Sequence, residues 1–201
     1  MKKMTFISGA ALLTLALSAD AQLFKPKPKT GLQPMKSAVD LIKKQPPLAV
    51  DQALLAGATP NDVRIIVSLP KQRAYLLMED RIIVDSPIST GKAGHTSPSG
   101  SFTILEKDPN HFSTLYGDFV DSQGRIVRAG VSMHIDSAPS GTHFQGAAMK
   151  WFMRLTDGGV GMHVGILPGY PASHGCIRMP SDGAKLFYDK VKVGTPVLVQ
   201  G

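Results

Sequence analysis

The stretch that decides the fold reads Ser173-His174-Gly175-Cys176-Ile177-Arg178, and a short Gly- and Pro-rich loop separates it from Met162-His163-Val164-Gly165. It holds the one cysteine of the sequence, so the fold does not depend on an internal disulfide. A thiol attacks carbonyl groups as the thiolate, and a free cysteine titrates near pH ~8.5. A neighbouring imidazole can take that proton and, as an imidazolium, hold the thiolate ready. The stretch therefore predicts a nucleophilic cysteine.

Two histidines are candidates for the base that serves Cys176. His163 ends a predicted strand 11 residues before His174, which lies beside the nucleophile. A rigid strand orients a base better than a turn does, so His163 is the predicted base. Gly175 allows a sharp turn and leaves backbone N–H groups uncovered, and such donors can bind an oxyanion. Arg178 can lower the pKa of the thiol or pair with a substrate carboxylate.

Other interpretations of these residues are weaker. A buried structural cysteine is unusual in a polar setting flanked by glycine. A zinc site at Cys176 with either His163 or His174 has too few well-spaced ligands, so no metal is expected. Taken singly, the remaining histidines are typical of surface or structural positions; they are His95, His111, His134 and His143.

Around this stretch, short apolar runs alternate with turns, which is typical of a mainly β domain. Glu79-Asp80 is expected to be a hairpin turn between two of the runs. The predicted strands are residues 63–69, 75–78, 82–84, 88–90, 101–105, 148–155, 160–163 and 197–199.

One late helix is predicted after Pro180, with Ser181 as its N-cap. Its apolar stripe has the spacing of an amphipathic helix and consists of Ala184, Phe187, Tyr188 and Val191. Residues 108–145 show little periodicity, which indicates a long irregular insertion, and such stretches often serve as a lid or binding loop. The expected fold is a β-sandwich or small barrel with one late helix and a lid-like insertion.

The beginning of the chain differs from the rest. Residues 1–21 combine Lys2 and Lys3, a mostly apolar run and Ala19-Asp20-Ala21, the pattern of a cleaved signal peptide. Residues 22–61 read as a proline-interrupted linker with room for a short helix at 36–44. Residues 62–201 read as one folded domain. We therefore expect an exported protein.

The charge is positive but not concentrated. The chain holds 22 Lys and Arg against 15 Asp and Glu, a net charge of +7. Without Lys2, Lys3 and Asp20 of the signal peptide, the counts are 20 and 14. No basic tract of the type that binds nucleic acid is present, so no nucleic-acid partner is expected. A positive field favours an anionic polymer, and general solubility explains it equally well.

Together with His163, the SHGCIR stretch resembles the signature of the L,D-transpeptidase catalytic domain family, the YkuD-like family, in a short-loop form. The resemblance extends from Val63 to Val199 through the opening strand at 69–76, the loop at 89–102 and the closing strand at 194–197. It implies a β-sandwich-like fold. Two departures bear on substrate choice: the loop before Ser173 is shorter than in many members, and Arg178 stands where others have Asn.

Position by position, the resemblance implies that Cys176 is the nucleophile and His163 the base. The carbonyl of Val164 would orient the imidazole, and the amides of Gly175 and Cys176 would form the oxyanion hole. The substrate-binding residues would be Ser173, His174, Arg178 and Tyr170. No metal and no organic cofactor is implied.

The implied activity is acyl transfer. A peptidoglycan stem peptide would acylate the cysteine with release of a terminal D-amino acid, and an amine on a neighbouring stem would accept the acyl group. Alternatives are an L,D-carboxypeptidase or hydrolase that uses water, a wall-attached protein as acceptor, or a wall-binding module without catalysis. The expected protein is a monomer in the periplasm or at the cell wall, with stem peptides as partners.

Overall fold

The computed structural model describes residues 44–201. The predicted signal peptide, residues 22–43 of the predicted linker and nearly all of the helix suggested at 36–44 lie outside the described residues. The described part contains eleven strands and two helices: β1 Ala49–Val50, α1 Gln52–Gly57, β2 Val63–Ser68, β3 Arg73–Met78, β4 Arg81–Pro87, β5 Gly100–Thr103, β6 Glu106–Val120, β7 Ile126–Ser132, β8 His143–Arg154, β9 Gly161–Val164, β10 Ile177–Met179, α2 Ser181–Lys190 and β11 Pro196–Gln200.

The first sheet has six strands in the order β1-β4-β3-β2-β11-β5. Its centre is the antiparallel meander of β2, β3 and β4, and β11 joins β2 in parallel. The predicted hairpin turn at Glu79-Asp80 is confirmed, because it links Met78 to Arg81, which pair with each other. Glu79 takes a φ of 55°, in the left-handed region that tight hairpin turns use.

The second sheet has five strands in the order β10-β9-β8-β6-β7. Its neighbours are antiparallel except for β9 and β10, which are parallel with His163 opposite Arg178. The connection between these two strands, residues 165–176, contains no helix in the structure. This connection carries the SHGC stretch.

Apolar side chains from both sheets and from α2 form one core, which confirms the mainly β class and the late helix. Ala184, Phe187 and Val191 of the predicted stripe are buried, and Tyr188 is half-buried. The N-cap is Pro180 rather than Ser181, and it makes no side-chain capping bond. The chain enters the helix directly from β10, so Ser181 already occupies the first helical position.

The irregular structure predicted for residues 108–145 is wrong. These residues form most of β6, all of β7 and the start of β8, and β6 pairs with both other strands. The alternation was hidden because the register of β6 shifts between Phe112 and Gly117. Beyond that shift, three apolar side chains are almost fully buried, which stabilises the strands; they are Phe119, Val120 and Val131.

Two further differences concern short segments. Residues 88–90 contain one isolated bridge, between Ser89 and Arg178, rather than a strand. The folded part extends upstream of Asp62, since β1 pairs with β4 and Leu55 of α1 belongs to the core. Within residues 44–201, neither helix has the length and apolar character needed to cross a membrane.

Candidate active site

The candidate site is built on the parallel pair β9 and β10. Side chains alternate between the two faces of a strand, and Ile177 of β10 is buried in the core. Cys176, one residue before β10, and Arg178 therefore face away from the core. On β9, Met162 is buried in the core, so His163 faces the same side as Cys176. Strand pairing brings the predicted nucleophile and the predicted base to one face of the sheet.

That face opens into a cavity of about 390 Å³. Cys176 and His163 line it, and one wall is the irregular part of β6, residues 113–116. Gly146 of β8 makes this wall possible, because a Cβ there would lie 2.0 Å from the carbonyl oxygen of Ser113. The cavity lining contains two arginines and three histidines, and within the described residues it includes no aspartate or glutamate. The cavity therefore favours anionic groups.

His163 is held in one orientation by the backbone. Its Nδ1 lies 2.8 Å from the carbonyl oxygen of Val164, the contact that the family resemblance implied. An imidazole that donates from Nδ1 to a carbonyl keeps Nε2 as a proton acceptor. Burial lowers the pKa of His163 to about 4, against the opposing effect of the Val164 carbonyl, and the charges of Arg178 and His111 lower it further. His163 is therefore neutral near pH 7.

Cys176 is also neutral at rest. Burial raises the pKa of its thiol, while the Gly161 backbone N–H and the charges of Arg178 and Arg154 act in the opposite direction. The thiol points toward the carbonyl oxygen of Gly159, with 3.8 Å between Sγ and oxygen. The structure thus favours a neutral thiol–imidazole pair over the imidazolium–thiolate pair expected from the sequence.

The turn before Cys176 requires glycine. Gly175 has a φ of +120°, a conformation that side chains rarely adopt. Its carbonyl accepts a hydrogen bond from Ser97 Oγ (2.7 Å), and its N–H donates to Ser173 Oγ (3.1 Å). Ser173 Oγ in turn donates to the carbonyl of Cys176. The Gly175 amide, predicted as an oxyanion donor, is therefore already engaged within the turn.

A buried polar network lies behind this turn. Gln72 Nε2 donates to Thr90 Oγ1 (2.7 Å), and Gln72 Oε1 accepts from the Thr90 N–H (3.0 Å). The Thr90 carbonyl accepts the N–H groups of Ala172 and Ser173. Buried networks whose members are all paired specify a unique geometry. The nucleophile turn is thus anchored to the first sheet through Gln72.

The other predicted site residues divide into two groups. His174 lines the cavity and is exposed, with its ring stacked on Tyr116 at 4.6 Å and edge-on to His95 at 4.9 Å. Arg178 also lines the cavity and is half-buried. Tyr170 lies outside the lining, and it contributes a carbonyl that accepts from Ser89 Oγ at 2.7 Å.

Two cavity residues were missed by the sequence analysis. His111 Nδ1 lies 3.2 Å from Asp108 Oδ2, and Arg154 Nε lies 2.6 Å from Glu106 Oε2. His111 had been interpreted as a surface or structural residue. The three-residue spacing of Asp108 and His111 is a weak local signal, whereas Glu106 and Arg154 are joined only by the pairing of β6 with β8.

The neutral pair predicts how Cys176 reacts with iodoacetamide. Because the resting thiol is protonated, the alkylation rate of the wild-type protein should rise roughly tenfold per pH unit between about pH 6 and about pH 8. His174→Gln should keep this slope, and Cys176→Ala should remain unlabelled. A rate that is already constant above about pH 6 would indicate a preformed imidazolium–thiolate pair instead.

A second prediction concerns Gln72. Gln72→Met keeps the side-chain length but leaves buried polar groups of Thr90 unpaired, which should lower the free energy of unfolding by about 1–3 kcal/mol. Acylation of Cys176 should slow by about tenfold, because misplacement of a reacting group is costly. Denaturant titration and intact-protein mass spectrometry measure the two effects. Gln123→Met, at an exposed position, is the matched control. If the two variants have the same free energy of unfolding and the same acylation rate, Gln72 does not position Cys176.

Comparison with known proteins gives a consistent result. The model of the YkuD family, described as the L,D-transpeptidase catalytic domain, matches residues 62–199. A probable L,D-transpeptidase 3 of Mycobacterium tuberculosis is 29% identical over 119 residues, which cover 57% of this chain and 38% of that protein. The chain thus spans well under half of that curated relative's length.

Solved structures have the same fold. An L,D-transpeptidase from Mycobacterium smegmatis superposes with a TM-score of 0.53 at 25% identity, covering 70% of this chain and 59% of that one. L,D-transpeptidase 3 from Mycobacterium tuberculosis, in complex with a faropenem-derived adduct, superposes with a TM-score of 0.52 at 21% identity. That superposition covers 70% of this chain and 60% of the other chain. Because the family model matches more than half of the sequence, this chain belongs to the L,D-transpeptidase catalytic domain family.

Proposed function

We propose that this protein is a peptidoglycan L,D-transpeptidase that forms an acyl-enzyme at Cys176 and passes the acyl group to an amine. The observation that carries the proposal is that Cys176 and a backbone-oriented His163 line the same cavity, in a chain of this family. The adduct carried by the solved Mycobacterium tuberculosis relative supports a reactive centre in this fold.

In the acylation step, the sulfur of Cys176 attacks a carbonyl carbon of the donor stem peptide while its proton passes to His163 Nε2. The Val164 carbonyl stabilises the imidazolium that forms. The Cys176 amide is the proposed oxyanion donor, since the Gly175 amide bonds to Ser173. The carbon–nitrogen bond then breaks, and His163 returns the proton to the leaving D-amino acid. A thioester remains.

In the transfer step, an amine of a second stem attacks the thioester carbon. One N–H proton passes to His163, the carbon–sulfur bond breaks, and the thiolate takes the proton back. Water as acceptor gives an L,D-carboxypeptidase or hydrolase on wall peptides, and an amine of a wall-attached protein is an alternative acceptor. The exposed rim at His174 and the irregular part of β6 leave room for a second stem.

The charge of the cavity supports the substrate class. Arg178 makes no ion pair with any residue of the described range 44–201, and it lines the cavity that also contains Cys176. Stem peptides carry carboxylates, which a guanidinium binds through two hydrogen bonds. We assign donor binding to Arg178, with Ser173 and His174 shaping the cavity, and no substrate contact to Tyr170.

We also propose that the protein acts in the cell envelope. Its substrate would be peptidoglycan, and the pattern of residues 1–21 is that of an exported protein. The catalytic domain would be monomeric and would reach the wall on the segment that precedes β1. No organic cofactor or metal takes part in the proposed steps.

The test is incubation of the purified protein with disaccharide-tetrapeptide donors and a tripeptide acceptor, followed by mass spectrometry. The wild type should release the terminal D-amino acid and form cross-linked dimers, and an acyl adduct should be present on Cys176. Cys176→Ala should lower turnover by roughly a thousandfold or more. Cys176→Ser should also fail, because a hydroxyl is a weaker nucleophile beside the same base.

Circular dichroism should show that both variants are folded. Turnover by Cys176→Ala at the wild-type rate would contradict the proposal. If the products at saturating acceptor are stem peptides that have lost the terminal D-amino acid, with no cross-linked dimers, the protein is an L,D-carboxypeptidase or hydrolase.

A further inference from the structure

The cavity holds a second histidine whose chemistry the proposed steps do not use. The ring of Phe152, which is fully buried, stacks on His111 with 4.2 Å between ring centroids and 11° between planes. The same ring lies 6.4 Å from His163 and 5.2 Å from the guanidinium carbon of Arg154. Phe152 thus separates His111 from His163, and both histidines line the cavity that contains Cys176.

The orientation of His111 is set by Asp108. The Nδ1 atom faces Asp108 Oδ2 at 3.2 Å, and Asp108 Oδ1 accepts the backbone N–H of Asn110 at 2.9 Å. A carboxylate at Nδ1 fixes the tautomer, leaves Nε2 as the proton acceptor and stabilises the imidazolium once a proton arrives. The His111 side chain is 20% exposed, so a ligand in the cavity can reach it.

The proposed transfer step calls for a second proton acceptor besides His163. An alkyl amine is protonated at neutral pH, and an ammonium ion has no lone pair with which to attack a thioester. His163 already accepts the second amine proton and returns it to the sulfur. The first proton of the ammonium ion therefore requires another acceptor.

We propose that His111, oriented by Asp108, is the general base that deprotonates the acceptor ammonium before transfer. This inference rests on the proposed function. The ammonium N–H bond breaks, its proton passes to His111 Nε2, and the neutral amine attacks the thioester. His163 then carries the second proton to the sulfur, and His111 releases the first to solvent. No other reactant is required.

The charges around His111 give the cavity two unlike walls. On β6, Asp108 contacts His111, and Glu106 is paired with Arg154 of β8. On the β9–β10 side, Arg178 lies beside the buried, neutral His163. Lys150 of β8 stands opposite Asn110 and is exposed. The lining as a whole favours anionic groups, and an anionic donor is placed at Arg178. Among these groups, Asp108 is the carboxylate whose ion pair involves a histidine and no Arg or Lys, so we place the cationic acceptor at His111.

The experiment separates acylation from transfer. The full chain is first acylated with a tetrapeptide donor, and transfer is then followed against pH with an alkyl amine acceptor. His111→Gln should slow transfer at pH 7 by roughly 100-fold, the range of general base catalysis, while the loss of acylation stays within about threefold. Asp108→Asn should show a smaller loss of the same kind. His134→Gln, at an exposed position outside the cavity lining, is the matched control.

Two further readouts exclude a structural role. The deficit of His111→Gln should shrink toward pH ~10, where an alkyl amine loses its proton without help. The transfer deficit of His111→Gln should also be absent when hydroxylamine is the acceptor, because hydroxylamine is mostly uncharged at pH 7 and needs no base to remove a first proton. Equal losses of acylation and transfer, or the same deficit with hydroxylamine, would overturn the inference. A wild-type protein that is never acylated at Cys176 would instead overturn the proposed function.

Discussion

The parallel pairing of β9 with β10 is the contact on which the site depends. Two short strands pair side by side although residues 165–176 intervene without a helix. The pairing is stabilised from the core side, where Met162, Ile177 and Met179 are almost completely buried. Full burial of such a side chain contributes about 1.5–3 kcal/mol. Because side chains alternate along a strand, the same pairing places Cys176 and His163 on the face of the sheet that points away from the core.

The burial that stabilises these strands also determines the protonation of the site. Removing a group from water disfavours its charged form, which lowers the pKa of His163 and raises that of Cys176. Both effects favour a resting pair without charge. The fixed Val164 carbonyl and the Gly161 N–H oppose these shifts, because each favours the charged form of the group that it faces. In the proposed mechanism, proton transfer from Cys176 to His163 would therefore be coupled to attack.

Local sequence signals predicted the parts of the molecule that are local in the chain. The SHGC turn, the hairpin at Glu79-Asp80 and the stripe on α2 each follow from residues close in sequence. The walls of the cavity were not predictable in this way. In β6 the register shift after Phe112 removes the alternation by which a strand is recognised.

The two missed cavity residues, His111 and Arg154, could not be predicted for a related reason: their roles depend on contacts between distant parts of the chain. Glu106 and Arg154 are 48 positions apart, and only the pairing of β6 with β8 brings them together. His111 could be interpreted only after Phe152 was known to lie between it and His163. Contacts of this kind require the tertiary structure, because no spacing in the chain encodes them.

Cys176 and His163 are both neutral at rest, and nitrogen-15 NMR of the His163 ring tests this most directly. At pH 7 the ring should show one protonated nitrogen, Nδ1, and one bare nitrogen, Nε2, and it should titrate near a pKa of about 4. Cys176→Ala should leave this tautomer unchanged. Two protonated ring nitrogens at pH 7 in the wild type, lost in Cys176→Ala, would show an imidazolium–thiolate pair and contradict the account.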